Sequence, residues 1–425
     1  MSDHPRVLVV GAGLAGLVAA SHLAGAGAAV EVFERRATVG GRVRTSCRDG
    51  FRFDRGFQVL LTGYPAVRRE LDIETLGLAR FAPGAWLVRT GERSLLGDPL
   101  RDPRAAFPSL VNREVTTRDK LRVLNLKRKL ASRSPQELLR EPDRSIESYL
   151  FEKGFSRRFV DRFVAPFYGG ITLDRSLSTS SRVFTATFRA FSLGAAAVPA
   201  RGMGTVADQL AARVSDAGAT IVREAEVSAV EPTEEGVSVT VDGEGMTADA
   251  AVVATDPPTA RELTSIEAIP TTGRGCVTQW YTFAGDELST GPRLLLNTDD
   301  EPGPNHVTPH SAVSPSYAPD GEVLLSATYL GTPSADDETL AERTAEALGR
   351  WFPERTFQEF RLLETHRIPF AQFDQPPGIH DSLPDEGAPE GAIYLAGEYT
   401  RWSSIQGAME SGRKAAAAVV NEHVS

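Results

Sequence analysis

Gly11, Gly13 and Gly16, followed 23 residues after the first of them by Glu34, are the residues of this chain whose types and spacing point most directly to chemistry. A glycine at position 11 permits a tight turn. Gly13 lets backbone amides approach a pyrophosphate, and Gly16 lets a helix pack closely on the strand before it. Ala12, Leu14 and Ala15 fill the rest of the loop and the first helical turn, where unpaired N–H groups and the helix dipole favour an anion. Glu34 offers a carboxylate to ribose hydroxyls, and Arg35 follows it. Together they describe a dinucleotide site.

A glycine loop of this form is weak evidence alone, so the flanking elements decide its weight. Arg6–Val10 is a short β-branched run that reads as a buried parallel strand. An alanine-rich helix runs from the loop to about Gly25, and Ala29–Phe33 forms a second strand ending at Glu34. Strand, loop, helix, strand and acid occur in the required order. Near the other end, Ala392–Ala396 reads as another buried strand running into Gly397 and Glu398. In between, Ala250–Thr255 is a third apolar run, closed by Asp256-Pro257-Pro258.

Directly after the ribose acid comes Val39-Gly40-Gly41-Arg42-Val43-Arg44-Thr45. Glu34 followed by Gly40-Gly41-Arg42 resembles the FAD signature of the flavin amine oxidase, protoporphyrinogen oxidase and phytoene desaturase superfamily. Two glycines there allow close backbone approach, and Arg42 supplies a forked cation for the pyrophosphate. Gly397-Glu398-Tyr-Thr-Arg401, with Ser404-Ile405-Gln406-Gly407-Ala408 beyond it, is similar to the superfamily's second flavin motif. The resemblance implies that Gly397 and Glu398 lie beside pyrophosphate and ribitol. It also implies that a helix opening near Gly407-Ala408, with Ile405 and Gln406 at its start, aims its N-terminus at the flavin. Val227 would bond the adenine through its backbone, and Gly56, Phe57 and Gln58 would neighbour the isoalloxazine. Val164-Ala-Pro166-Phe-Tyr-Gly169-Gly170 is similar to a substrate-domain hairpin of the same superfamily.

The resemblance implies an α/β fold: a discontinuous Rossmann-like FAD-binding domain (glutathione-reductase-like) with a mixed α+β substrate domain. The expected pieces are 1–72, 198–260 and 386–425 for the first, and 73–197 and 261–385 for the second. Amine oxidases of the superfamily use a lysine near the flavin, yet this chain has no lysine between Lys153 and Lys414, and Ser404 stands where they carry a cage tyrosine. The motifs are closest to those of plant and cyanobacterial type carotenoid desaturases, although Glu398 replaces their aspartate and Gln58 a histidine. The reading that follows is an FAD-dependent oxidoreductase that takes hydride from a small apolar, carotenoid-like isoprenoid, as a desaturase or isomerase. The alternatives are an oxidase of an amine or porphyrinogen, and a non-catalytic FAD-stabilised lipid-binding or scaffold protein. No catalytic side chain is identified, in keeping with a reaction that needs proximity more than an acid–base pair.

Phe155, Phe159, Phe163 and Phe167 recur every four residues; such a stripe is most often plain core, and otherwise would line a tunnel for a long apolar substrate. Trp280 and Tyr281 alternate in a strand, so one is expected to face the flavin and the other solvent or core. Between Val111 and Pro135 eight basic residues stand against two acids, with leucines at 121, 124, 126 and 130. This segment reads plainly as a solvated helix, or else as a peripheral contact with an anionic membrane. The whole chain carries a net charge of −10, which argues against nucleic acid as a partner. Cys47 and Cys276 are too far apart for a short metal motif, the seven histidines are scattered, and no metal site is expected. The five residues before the first strand do not make a signal peptide, and the expected location is the cytoplasm or the inner face of its membrane. Oligomeric state is not legible.

Overall fold

The computed structural model describes residues 4–97, 115–299, 301–387 and 391–424 of the 425. Two sheets organise it. The first is parallel and five-stranded, in the order Thr220–Arg223, Ala29–Glu34, Arg6–Val10, Ala250–Val253, Ile393–Leu395. Its strands come from three widely separated stretches of chain, and its central runs, such as Val7-Leu8-Val9, are fully buried because helices cover one face and a three-stranded antiparallel sheet, residues 227–248, the other. On the helical face Leu14–Gly25 lies against Gly204–Asp216 and Ile405–Val419. A Cβ at Gly412 would stand 2.1 Å from the carbonyl oxygen of Ala15, so only glycine permits that helix crossing.

The second sheet is mixed and seven-stranded, in the order Arg361–Phe373, Gly273–Thr282, Leu325–Leu330, His306–Pro309, Leu294–Asn297, Ala85–Arg89, Glu92–Leu96. All neighbours are antiparallel except Leu294–Asn297 with Ala85–Arg89. Helices from residues 117–193 pack into their own apolar cluster alongside it. A small sheet of residues 60–61, 196–199 and 78–80 ties the two regions together.

One expectation needs correction. The Val164–Gly170 segment is helical, not a hairpin: a π-helical turn at Val160–Val164 continues into the helix Ala165–Thr172. It closes where Leu173 turns left-handed at φ 54°. Gly169 and Gly170 sit inside it because Cβ atoms there would come 3.0 Å from Arg175 Cα and 3.1 Å from Asn305 and His306. Trp280 and Tyr281 are both fully buried, since their strand is paired on both edges and covered on both faces. The basic segment forms a helix at Thr117–Ala131, begun by a capping box between Thr116 and Asp119. Its residues 111–114 lie outside the described residues.

Candidate functional site

The glycines of the first loop differ in what their backbone and neighbours require. Gly11 has φ +102°, open only to glycine at ordinary cost. A Cβ on Gly16 would stand 2.0 Å from the Gly11 carbonyl oxygen and 3.1 Å from Ala254, so its absence sets the helix-to-strand distance. Gly13 differs, because a Cβ there would meet nothing within 4 Å. It is the N-cap of the helix Leu14–Gly25, and no side chain caps that helix. The first-turn amides of Leu14, Ala15 and Gly16 are therefore left without a side-chain cap.

The second glycine pair closes on the first. The Gly40 amide donates to the Ala12 carbonyl at 2.8 Å, and a Cβ on Gly41, which has φ +60°, would stand 3.5 Å from Gly13 Cα. Glu34 is buried, with its carboxylate accepting from the amides of Ala12 at 2.9 Å and Arg36 at 3.0 Å. Arg35 is exposed and pairs with Asp256 at 3.6 Å; Asp256 itself caps the helix Pro257–Thr264. Val227 begins a strand that opens with a bulge, close in sequence to Ala225, whose amide donates to the Glu34 carbonyl.

Arg42 departs from the simple expectation of a cation held only for phosphate. Its Nη2 donates to Glu398 Oε2 at 2.5 Å and its Nη1 to the Ala371 carbonyl at 3.1 Å, so the two flavin motifs are joined by an ion pair. Burial opposes the charge on Arg42, but the adjacent Glu398 outweighs it and holds the guanidinium above its ordinary pKa. The other carboxylate oxygen of Glu398 is buried without a partner.

From the C-terminal motif, Gly397 donates its amide to Ser411 Oγ. The helix Ile405–Val419 starts two residues earlier than the sequence suggested, because Ser404 caps it by accepting from the Gly407 amide at 2.8 Å. Gln406 is fully buried; its Oε1 accepts from the Ala66 amide, while its Nε2 has no partner. Ile405 and Ala408 are packed against the main core.

Gly56 has φ +83°, and Gln58 donates to the carbonyls of Arg42 and Arg55, fixing this segment to the second glycine pair. The Phe57 ring makes an edge contact with His306 at 4.8 Å between centroids. Phe57 also borders an apolar cavity of about 1140 Å³. The four phenylalanines of the stripe all line it, their rings spaced 5.2, 5.5 and 5.4 Å apart in sequence order. Further rings come from Phe81, Tyr168, Phe184, Phe188 and Phe191. Among the described lining residues no carboxylate occurs, and the charged ones are Arg68, Arg80, Lys120 and Lys127.

Comparison with known proteins now bears on this geometry: the sequence profile of flavin containing amine oxidoreductases matches residues 14–420. This chain belongs to that family. It is an FAD-dependent oxidoreductase. Over 98% of its length it is 26% identical to 98% of the probable zeta-carotene desaturase of Synechococcus elongatus. It is 30% identical over 165 residues to protoporphyrinogen oxidase 2 of Arabidopsis thaliana, a match covering 39% of this chain and 32% of that protein. A match to 4,4'-diapolycopene oxygenase of Methylomonas covers 14% of this chain and 12% of that protein. Among solved structures, an oxidoreductase from Methanosarcina mazei superimposes with a TM-score of 0.74 at 18% identity, over 96% of this chain and 99% of the other. Putrescine oxidase superimposes with a TM-score of 0.72 at 18% identity, over 99% of both. At such identity these two speak to fold alone.

The residues fit FAD. Among the buried polar atoms without partners, five lie in or beside the two motifs, Arg44 Nε, Gln58 Oε1, Glu398 Oε1, Trp402 Nε1 and Gln406 Nε2, and others lie elsewhere in the described chain. Native proteins leave few such groups. Together with the open space at Gly13 and the uncapped helix, they describe a cradle for a large polar group. What sequence reading missed is the other side: Asn305 and His306 carry no motif. Their meeting with Pro166 and Phe57 depends on strand pairings between distant segments.

Proposed function

We propose that this FAD-dependent oxidoreductase acts on a long apolar isoprenoid of the carotenoid kind, as a desaturase or isomerase. The supporting observation is the phenylalanine-lined cavity bordered by Phe57. At about 1140 Å³ it lies at or above the upper end of pockets for small ligands, commonly about 300–1,000 Å³. When bound, the flavin supplies a two-electron acceptor. Gly11, Gly13, Gly16, Gly40, Gly41, Arg42 and Glu398 would hold its pyrophosphate and ribityl region, Glu34 its ribose, and the helix start at Ile405–Ala408 its ring. The aromatic walls bind the substrate by burying it, exclude water, and fix which carbon lies nearest Phe57.

A second reading takes its support from the four cations of the cavity wall. A porphyrinogen bearing carboxylates would find partners in Arg68, Arg80, Lys120 and Lys127, whereas a cationic amine would find no carboxylate among the described lining residues.

The approach to the cavity supports a partner as well. Leu121 and Leu193, 62% and 38% exposed, are the exposed large apolar side chains among the described residues. Leu193 lines the cavity, and Leu121 sits on the helix that contributes Lys120, Leu124 and Lys127 to its wall. Arg118, Arg128 and Lys129 add to the charge of that helix. An anionic lipid surface suits this combination, delivering a lipophilic substrate beside the cavity. No helix among the described residues is long and apolar enough to cross a membrane.

The test is anaerobic bleaching of the oxidised-flavin band by polyenes in liposomes, by amines and by protoporphyrinogen. Bleaching by polyenes alone is expected; bleaching by amines alone would overturn the proposal. Anionic liposomes should sediment the protein, and K127A/R128A/K129A should weaken that; unchanged sedimentation would remove the membrane contact.

A further inference from the structure

Besides its cations, the polar side chains of the cavity wall are the hydroxyls of Thr62, Tyr168 and Ser192 and the imidazole of His306. This residue opens the strand His306–Pro309, is 2% exposed, and lies with its ring against Phe57. Its hydrogen bonding is fixed by its chain neighbour. Asn305 Nδ2 donates to the Pro166 carbonyl at 2.9 Å. That oxygen can only accept, so the amide nitrogen of Asn305 must be the atom on that side. The same nitrogen lies 3.1 Å from His306 Nδ1, so its second hydrogen goes there and Nδ1 accepts. The proton of the neutral ring then resides on Nε2, which is buried and has no partner. Burial keeps the ring neutral, pushing its pKa down to about 4.

The result is one uncharged side-chain N–H donor on the wall of a cavity lined largely by phenylalanine rings, and a purely hydrocarbon ligand has no use for it. We infer that His306 donates to a carbonyl oxygen on the molecule in this cavity, so that the cavity selects oxygenated isoprenoids over hydrocarbon ones. This rests on the apolar-cavity reading above and refines it. Two kinds of molecule carry the required group: a keto-substituted polyene as substrate, or a prenylated quinone that reoxidises the enzyme. A hydroxyl would serve less well, because its own donor would remain unpaired among the rings.

Binding is the measurement, made on the FAD-loaded protein in detergent by quenching of tryptophan fluorescence. One arm compares a keto-carotenoid with its parent hydrocarbon. The other compares a prenylated naphthoquinone with the same compound after reduction and capping as its dimethyl ether. The wild-type protein should favour the carbonyl compound of at least one pair by about three- to ten-fold, the worth of one neutral hydrogen bond. His306→Phe, which keeps a ring against Phe57, should erase the preference and leave hydrocarbon affinity within about two-fold; His306→Gln, which keeps a donor, should restore part of it. A preference confined to the quinone pair would assign the site to the reoxidant, and one confined to the carotenoid pair to the substrate. Equal affinities within both pairs in the wild type would overturn the inference, and that comparison needs no variant. Failure of every compound to bind would instead bring down the apolar-cavity reading on which this one rests.

Discussion

Replacing Gly13 by valine separates the cofactor role of the glycine loop from its structural role. The position has extended backbone, φ −74° and ψ 176°, which valine adopts readily, and a Cβ there meets nothing within 4 Å. The cost to the fold is then the loss of a favourable N-cap residue, about 0.5–1 kcal/mol, or a shift in Tm of at most about 3 °C for a chain this size. The cost to binding is far larger. The two methyl groups would fill part of the open space at this position. If a phosphate loses two charge-assisted bonds to helix-start amides, at about 1.5–3 kcal/mol each, FAD affinity falls by roughly 10²- to 10⁴-fold. Gly16→Ala is the contrasting variant: its Cβ would collide with the Gly11 carbonyl oxygen at 2.0 Å, so the apoprotein itself should melt several degrees lower. Thermal melting of the apoprotein and fluorescence titration with FAD give both numbers. A Gly13→Val protein that binds FAD within three-fold of the wild type would refute the assignment of this loop to pyrophosphate.

Three other perturbations test the surrounding structure. Arg42→Ala leaves the buried Glu398 without its cation and should cost about 3 kcal/mol or more in chemical denaturation, together with flavin loss; adding Glu398→Gln should recover part of the stability, and a simple sum of the two effects would argue against coupling. Asp54 is fully buried, and that burial pushes its pKa up to about 6 despite hydrogen bonds from Thr45, the Met203 amide and Tyr317. The folded protein therefore holds this proton more tightly than the unfolded chain. Its stabilising contribution is complete below about pH 4 and lost as pH rises through 6, on the order of 3 kcal/mol, a slope that Asp54→Asn should flatten in denaturation at several pH values. Cys47 is exposed, whereas Cys276 is buried with its thiol pushed up to about 11, so iodoacetamide should label one cysteine of the native protein and two after denaturation, read by mass spectrometry.

The cofactor half of the molecule was legible because its signals are local. Arg6 to Glu34 place two strands, a turn and a helix within 29 residues, and Gly11 takes a backbone conformation that favours glycine. Glu398 and Gln406 were legible through resemblance at the far end of the chain. The pairing of Arg42 with Glu398, 356 positions apart, was not, because nothing in either segment encodes the other's approach. The same limit hid His306. Its environment is made by Phe57, Asn305, Pro166 and Gly170, which meet only when the mixed sheet and the helix Ala165–Thr172 are in place. The phenylalanine stripe showed the converse: its four-residue spacing announced a helix, but whether that helix faced core or cavity depended on partners up to 150 positions away.

The order of strands in the parallel sheet also dictates when this protein can become competent during its own synthesis. Val7 pairs beside Ala250, and Ala251 beside Ile393, so the central strand waits for a neighbour made some 240 residues later, and that neighbour waits another 140. The strand Ile393–Leu395 and the helix Ile405–Val419 leave the ribosome after the other strands of this sheet, and they carry one of the two flavin motifs. A nascent chain therefore exposes the apolar edge of Ala250–Val253 while about 140 further residues are made, and contacts of such long range form slowly. Capture of the cofactor therefore waits for residues 393–419, which makes them a checkpoint: a chain that lacks them has both an open sheet edge and an incomplete cradle, and should be recognised as unfinished on either count.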